Sequence, residues 1–293
     1  MDLARARDAF LVQLQADGRS PHTIGQYRRH LGALDRWLAA TGRTRELPAI
    51  DHEVLAQFLV SDAARCRPDG AAKKATTTNT LRTSLRAFFG YAHAAGLVAT
   101  NPARLIRRAR CAPPPPRALS DDDVHRLLAA ADAGRTDAAR RDAALLRLLL
   151  GTGLRLSSAL ALRAEDVDLA RGELHLRRTK NDAPTALPLS YEAVRVLRGL
   201  VRARPEGFLF PGADDQPLTR RQAGRRIKET AARASLAGRA SAHVLRHVFA
   251  CRLLRKTSGN LQLVQQALAH RSIASTTMYA RVDTATLRAA LRS

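Results

Sequence analysis

The sequence predicts a mainly α-helical protein: an N-terminal four-helix bundle, then a mostly helical domain with a small antiparallel β-sheet. Three observations support this fold class. Apolar residues recur every three or four positions along most of the chain, as on one face of a helix. Apolar and polar residues alternate only in one short region, as in strands. A proline-rich run divides a chain of 293 residues, which is longer than one typical domain.

Four amphipathic helices are predicted in the first domain. Asp51 is a typical N-cap, and Ser20 followed by Pro21 is a typical helix start, with serine capping and proline at the first helical position. Gly42 and Gly96 end the second and fourth apolar stripes. The apolar stripes consist of Leu3, Phe10, Leu11 and Leu14; Ile24, Tyr27, Leu31, Leu34 and Leu38; Val54, Leu55, Phe58 and Leu59; and Leu81, Leu85, Phe88, Phe89 and Ala92.

A proline-rich segment follows the bundle. Asn101-Pro102 ends the helical pattern, and residues 111–119 (CAPPPPRAL) contain four consecutive prolines. Such a run prefers the extended polyproline II conformation and acts as a semi-rigid spacer; a ligand for an SH3-type domain is the alternative. We therefore predict a first domain at residues 1–110, a linker at 111–118 and a second domain at 119–293.

The second domain is predicted to be helical on both sides of a β-hairpin. Ser120 precedes three aspartates, which together form an N-cap and an acidic first turn. Residues 173–178 (ELHLRR) alternate as a strand does, and residues 184–189 (PTALPL) can pair with them across a polar turn. Helices are expected at about 140–150, at LSSALALR, from Tyr191 onward, and at about 219–234, 242–256 and 260–269.

The charge balance indicates a polyanionic partner. Formal net charge is +23, from 49 basic and 26 acidic residues. This excess attracts nucleic acid whatever its sequence. Codon bias can exchange lysine for arginine, but it does not explain the shortage of acids. Basic residues between the apolar stripes of the first domain are candidates for a DNA-facing surface, and a solvated outer face is the alternative. The candidates are Arg28, Arg29, Lys73, Lys74, Arg82 and Arg86.

Other classes of protein are disfavoured by composition. Cys66, Cys111 and Cys251 are odd in number and scattered, which argues against a disulfide framework and a zinc site. The N-terminus has no long apolar core, so we expect no secretory signal. The strongest apolar run, residues 143–151, is short and interrupted by Arg147, so it is not expected to span a membrane. We expect a soluble protein of the cytoplasm.

Six residues of the second domain carry the side chains that phosphodiester transfer requires. Attack by a protein hydroxyl stores the bond energy in a covalent intermediate. Arginine presents a planar fork that matches phosphate oxygens and never loses its charge. Lysine or histidine can protonate the leaving sugar oxygen. The candidates are Arg155, Lys180, His243, Arg246, His270 and Tyr279.

The placement of these residues suits a shared site. His243 and Arg246 are three positions apart, so one helix presents both on the same face. Arg155 follows a Gly-Thr-Gly turn, Lys180 is at a hairpin tip, and Tyr279 lies in a polar segment. Taken alone, each residue has a non-catalytic interpretation. Arg155 could form a surface ion pair, and Lys180 could be a solvated side chain. His243 could be a hydrogen-bonded helix histidine, and Tyr279 could simply fill a groove. The set in this order predicts DNA strand cleavage.

Four motifs resemble those of the tyrosine recombinases, the family of the phage-integrase and Xer-like enzymes. Residues 151–157 (GTGLRLS) resemble the first arginine motif, and residues 243–247 (HVLRH) resemble the H-x-L-R-H box. Residues 268–270 (LAH) and 276–279 (TTMY) resemble the L-G-H…T-x-x-Y signature. Thr179-Lys180, leading to LPL, resembles the β-hairpin lysine. The first domain, with SPHTIGQYRRHL, is similar to the SAM-like core-binding domain of this family.

The resemblance implies a role for each residue. Tyr279 would attack the scissile phosphate to give a 3′-phosphotyrosyl link and a free 5′-hydroxyl. Lys180 would be the general acid for the leaving oxygen, and His243 would accept the proton of Tyr279, whose unperturbed pKa lies near 10. His247 is interpreted as a structural helix histidine. The phosphate oxygens would be held by Arg155, Arg246 and His270.

The resemblance also implies the partners. The substrate would be double-stranded DNA at specific recombination sites, bound by a homo-tetramer on two duplexes, and no metal or nucleotide cofactor would be required. After the tyrosine, Val282, Leu287 and Leu291 form a short apolar stripe. That stripe would pack on its own domain or on a neighbouring subunit in an exchange of C-terminal tails.

The chain departs from the family at two positions. Ser158 stands where an acid is usual, and Ala269 replaces the usual glycine before the histidine. Neither position contacts the phosphate in the family, so we expect activity to be retained. Two other functions are considered: a DNA-binding regulator or accessory protein of the same fold without strand transfer, and a type IB topoisomerase-like enzyme. The intact residue set disfavours the first, and the small N-terminal bundle and short tail disfavour the second.

Overall fold

The computed structural model describes residues 1–111, 119–176 and 185–268. The chain forms two compact units, residues 1–114 and 115–293. Both are mostly helical, and the second contains a small antiparallel sheet, so the predicted fold class is confirmed. Among the described residues, no helix has both the length and the apolar character needed to cross a bilayer.

The first unit contains the four predicted helices and one short additional helix. Asp2, Ser20 and Asp51 cap three of them, each accepting a hydrogen bond from a backbone N–H of the first turn. The predicted apolar stripes form one core, in which the Phe10 ring lies edge-on to Tyr27 at 5.3 Å between centroids. The helices are α1 (Leu3–Ala16), α2 (Pro21–Ala40), α3 (His52–Val60), α4 (Asp62–Arg65) and α5 (Ala75–Ala94).

The second unit follows the predicted order of elements with small differences. β1 was not predicted, because two residues are too few for a periodic pattern. The predicted turn between β2 and β3 lies outside the described residues. The helices are α6 (Asp121–Asp132), α7 (Asp137–Thr152), α8 (Leu156–Leu160), α9 (Tyr191–Ala203), α10 (Arg220–Arg233), α11 (Ala242–Lys256) and α12 (Leu261–Ala267). The strands are β1 (Val167–Asp168), β2 (Glu173–Leu176) and β3 (Thr185–Pro188).

The sheet is antiparallel in the order β1-β2-β3. Leu174 pairs with Val167 on one side and with Leu187 on the other. Leu174 is fully buried and joins the main core of this unit, which packs the sheet against the helices. A three-residue 3₁₀ turn at Ala164–Asp166 leads into the sheet and contributes the buried Ala164.

Helix α7 is the central element of the second unit. It packs against α6, α9, α10 and α11, and most of its C-terminal half is buried. Packing on several sides fixes the position of its C-terminal end, because the interior of a protein is close-packed and resists small displacements. The end of α7 is the Gly-Thr-Gly turn that precedes Arg155.

Ion pairs at the start of α6 predict that the second unit loses stability in acid. Burial of the Asp123 carboxyl raises its pKa, but the Ser120 N–H and the guanidiniums of Arg126 and Arg239 lower it more, so the pKa lies below the ordinary value of 3.8. Arg252 likewise holds the pKa of Asp121 below that value. A carboxyl with a depressed folded-state pKa stabilises the fold above its unfolded pKa and loses that contribution as pH falls through the folded pKa.

We therefore expect the urea midpoint of the second unit to decrease as pH falls below 3.8. Asp123→Asn should show a shallower pH dependence there than the wild-type protein. Asp122→Asn, on the same turn, is the matched control and should keep the wild-type dependence. An identical pH dependence for wild type and Asp123→Asn would contradict the assignment.

Candidate active site

The buried Arg246 side chain joins three separate motifs. It lies in α11, and its side chain donates through one terminal nitrogen to the carbonyl oxygen of Gly153 at 2.6 Å. The other terminal nitrogen donates to the carbonyl oxygen of Leu268 at 2.7 Å. Two bonds from one planar guanidinium fix both its position and its plane. The H-x-L-R-H box is therefore bonded to the first arginine motif and to the first residue of the L-A-H motif.

The Gly153 turn explains how the first arginine motif approaches α11 so closely. Gly153 is the C-cap of α7 and has a φ of 63°, in the left-handed region that favours glycine. A Cβ built on it would lie 2.2 Å from Cδ1 of Phe249. The turn therefore packs closely against α11, and this packing brings the Gly153 carbonyl within reach of Arg246. The sequence did not indicate that this carbonyl holds the second arginine.

Arg155 is exposed at the N-terminus of α8. It is the N-cap residue of that helix, and its carbonyl oxygen accepts from the N–H groups of Ser158 and Ala159. Among the described residues, its guanidinium makes no hydrogen bond or ion pair, so its charge is not compensated by a carboxylate there. Ser158, at the position where the family usually has an acid, is half-buried. Its backbone N–H donates to the carbonyl oxygen of Arg155 at 2.9 Å.

The two histidines of the HVLRH motif have different environments. His243 is exposed in the first turn of α11, where Ser241 is the N-cap. His247 is buried, and its Nε2 lies 3.7 Å from the sulfur of Cys251 one turn later. Burial, and then the charge of His243, lower the pKa of His247. These contacts support the interpretation of His247 as a structural, neutral histidine.

Three candidate residues lie outside the described residues: Lys180, His270 and Tyr279. Of the six candidates, the structure therefore describes Arg155, His243 and Arg246. It brings the backbone of the first arginine motif to the side chain of Arg246. Among the described residues, no group of three or more His, Cys, Asp or Glu side chains is placed to hold a metal ion.

The candidate DNA-facing cations of the first unit fall into two groups. Lys73 is half-buried, and its Nζ donates to the carbonyl oxygens of Ala63 and Ala64 in α4 at 3.2 and 3.0 Å. Arg82 donates to Thr78 one turn earlier at 3.1 Å. These two side chains thus have structural contacts as well. The side chains that are exposed and have no hydrogen bond or ion pair to any described residue are Arg28, Arg29, Lys74 and Arg86.

Helix α10 carries a basic face that was not among the predicted site residues. Its buried side consists of Ala223, Ile227, Thr230 and Ala231, which pack into the core. The exposed cations lie at the first turn and on the side of the helix away from the core, and the basic run RRQAGRRIK is the signal by which this surface could have been found. They are Arg220, Arg221, Arg225 and Lys228.

Comparison with known protein families decides the class of this chain. The profile described as "Phage integrase family" matches residues 117–286. The profile described as "Phage integrase, N-terminal SAM-like domain" matches residues 8–96. The chain belongs to the phage integrase family. The family resemblance predicted from the motifs is therefore confirmed.

Relatives in this family are named as tyrosine recombinases. The chain is 32% identical over 284 residues to tyrosine recombinase XerC of Xanthomonas campestris pv. campestris (strain B100), covering 95% of this chain and 84% of the relative. It is 32% identical over 280 residues to tyrosine recombinase XerD of Ralstonia nicotianae, covering 93% of this chain and 87% of the relative. The prediction of a tyrosine-type site-specific DNA recombinase is confirmed.

Solved structures of integrases share the fold of this family member. A structure of the Tn1549 transposon integrase in complex with a circular intermediate DNA has a TM-score of 0.75 and 19% identity, covering 100% of this chain and 99% of that chain. The XerH recombinase in a post-cleavage complex with difH has a TM-score of 0.73 and 21% identity, covering 94% of this chain and 81% of that chain. Similarity at this level of identity supports the fold assignment.

Proposed function

We propose that Tyr279 is the nucleophile of this recombinase and that Arg155 and Arg246 hold the scissile phosphate. The observation that carries the proposal is the pair of hydrogen bonds that the Arg246 guanidinium donates to the carbonyl oxygens of Gly153 and Leu268. Gly153 precedes Arg155 by two residues, and Leu268 precedes His270 by two residues. The two hydrogen bonds therefore bring the backbone next to both candidate residues to one guanidinium. Arg155 is exposed and has no carboxylate partner among the described residues, so we propose that its charge is used by the same phosphate.

The proposed cleavage step transfers one phosphodiester bond to the protein. The Tyr279 oxygen attacks phosphorus and gives its proton to His243, while the 5′-oxygen leaves with a proton from Lys180. A 3′-phosphotyrosyl bond replaces the broken bond, so its energy is retained. Negative charge that develops on the non-bridging oxygens is stabilised by Arg155, Arg246 and His270. Attack by the 5′-hydroxyl of another strand reverses the step and rejoins the DNA.

The proposal is tested by trapping the covalent intermediate. Duplexes bound by the protein are first selected from a random library, and a nick is then placed beside the conserved core of the selected sequence. Cleavage of such a suicide duplex releases a short strand, so the reverse reaction is prevented and a protein–DNA adduct accumulates. If a tightly bound selected duplex gives no adduct, the chain is a DNA-binding protein without strand transfer.

Arg246→Lys is expected to slow formation of this adduct by about 10²- to 10³-fold, the usual effect of losing one oriented donor to a transition-state oxyanion. A lysine ammonium cannot reproduce the planar fork that bonds two carbonyls at once, so the phosphate would lose an oriented donor. Arg255→Lys, on the exposed face of the same helix, is the matched control and should cleave at the wild-type rate. An Arg246→Lys rate within about threefold of wild type would contradict the assigned role.

We further propose that the first unit binds the DNA backbone through its exposed cations. Arg29→Ala should weaken binding to any duplex and lower the slope of log affinity against log salt by about one. Arg140→Ala is the control, because Asp137 already pairs with that guanidinium at 2.7 Å. The measurement is fluorescence anisotropy of a labelled random duplex across a salt series. An unchanged slope for Arg29→Ala would remove this residue from the interface.

The proposed assembly is a homo-tetramer on two duplexes, with exchange of C-terminal tails. A mainly apolar groove of about 890 Å³ on the second unit supports it, bounded by α7, α9, α11 and α12. Tyr191 and Leu263 line this groove with 88% and 46% of their surfaces exposed, so the groove offers apolar surface for a partner segment to cover. The sequence stripe of Val282, Leu287 and Leu291 is apolar as well, as a segment that occupies an apolar groove would be.

A further inference from the structure

A histidine on α2 is held in one tautomer by α5. The Nδ1 atom of His30 lies 2.8 Å from the hydroxyl oxygen of Ser84. That hydroxyl donates to the carbonyl oxygen of Thr80 at 3.2 Å. A serine hydroxyl has a single proton, so Ser84 accepts from the ring. We therefore assign the proton of the neutral imidazole to Nδ1, which leaves the lone pair on Nε2.

The Nε2 atom of His30 is open to solvent. It makes no hydrogen bond to any residue that the structure describes. His30 is half-buried, yet its Nε2 is not among the buried polar atoms without a partner in the described ranges. The ring is thus anchored at one nitrogen and presents the other at the surface of the first unit.

The charged groups around His30 are cations. Helices α1, α4 and α5 pack against α2. On α2 itself the neighbour is Arg29, and on the α4 side it is Lys73, which is bonded to the carbonyls of Ala63 and Ala64. Within the described part of the chain, no charged group of α1 or α5 and no carboxylate acts on the ring. Burial, and then these two cations, lower the pKa of His30, so the ring is neutral in the free protein at neutral pH.

A DNA phosphate next to the ring would raise the pKa of His30 again. Its negative charge offsets the repulsion from Arg29 and Lys73, and an imidazolium Nε2–H can donate a charge-assisted hydrogen bond to a phosphate oxygen. The neutral ring offers only a lone pair there, which repels the same oxygen. Binding of the DNA backbone and protonation of His30 therefore favour one another.

We propose that His30 contacts a phosphate of bound duplex DNA through Nε2 and takes up one proton from solvent as the DNA binds. The proposal rests on the proposed DNA-binding role of the first unit. It assigns to this histidine a contact that depends on pH, beside the permanent charge of Arg29. The recombinase would then bind DNA more tightly in mildly acidic solution than at neutral pH. Protonation of His30 alone would account for this increase in affinity.

The first test measures affinity of the full-length protein for a labelled random duplex between about pH 8 and pH 5.5 at constant ionic strength. Because the DNA complex binds the extra proton, wild-type affinity should increase as pH falls, by up to about tenfold per pH unit. His30→Gln retains an amide N–H for Ser84 but cannot be protonated, so its affinity should depend less on pH. His52→Gln, on α3, is the control and should retain the wild-type dependence.

The second measurement uses the wild-type protein and does not depend on any variant being folded. The ring resonance of His30, assigned through its bonds to the backbone resonances of the wild-type protein, is titrated in the free protein and in the DNA complex. The pKa of His30 should be higher in the complex. Tight DNA binding with an unchanged or lower His30 pKa would overturn this proposal alone. Binding that is unaffected by Arg29→Ala would instead count against the proposed DNA surface.

Discussion

Replacement of Tyr279 with phenylalanine is expected to abolish the covalent protein–DNA adduct and leave DNA binding unchanged. The substitution removes one oxygen atom, and that oxygen is the proposed nucleophile. A phenyl ring keeps the size and apolar character of the side chain, so the surrounding structure has little reason to change. Denaturing gel electrophoresis of the suicide-duplex reaction measures the adduct, and anisotropy measures the binding.

The matched control is Tyr91→Phe. Tyr91 lies in α5, its ring packs against the core of the first unit, and its hydroxyl makes no hydrogen bond to any described residue, so the loss of that hydroxyl should leave both adduct formation and stability at wild-type values. Adduct that persists in Tyr279→Phe at the wild-type rate would assign the nucleophile to another residue. Loss of adduct in both variants would show that the assay responds to something other than the attacking oxygen.

Gly153→Ala is expected to destabilise the second unit by about 2–5 kcal/mol. Holding a residue that has a Cβ in the left-handed conformation costs about 1–2 kcal/mol. The new methyl group would also lie 2.2 Å from Cδ1 of Phe249, and overpacking of this kind costs about 1–3 kcal/mol. Relief of the clash requires the Phe249 ring, the turn or α11 to move, and a movement of the turn or of α11 lengthens the bond from Arg246 to the Gly153 carbonyl. Adduct formation should therefore decrease along with the urea midpoint.

Gly151→Ala is a control two residues away. It lies inside α7 without a positive φ, and a Cβ there would meet Ala193 and Ser190 at 3.8 Å, an ordinary contact distance. We expect it to stabilise the helix by about 0.5–1 kcal/mol, because alanine loses less backbone entropy than glycine on folding.

The double variant Gly153→Ala with Phe249→Ala separates the clash from the backbone strain. Removal of the ring eliminates the steric term, so the combined loss of stability should be smaller than the sum of the two single losses. Additive losses would mean that the two residues are not coupled. A Gly153→Ala variant as stable as the wild-type protein would contradict the turn geometry.

Local patterns were sufficient for the longer helices, whereas the four-residue α4 was not predicted. Ser20, Asp51 and Ser120 were predicted as helix starts, and each caps a helix in the structure because capping involves only neighbouring residues. The two-residue strand β1 was not predicted, because its two residue pairs with β2 are set by the tertiary structure. Among the proposed DNA contacts, Lys73 also holds α4, which no charge pattern could indicate.

The sequence by itself determined the mainly helical class, the family and the chemical types of the proposed site residues. These follow from periodicity, charge and short motifs, all of which are local in the chain. The tertiary structure alone decided how Arg246 is held, because the Gly153 carbonyl lies 93 residues earlier. It also decided that Ser84, 54 residues away, orients the ring of His30. Contacts between distant residues depend on how helices pack, and local periodicity does not encode that packing.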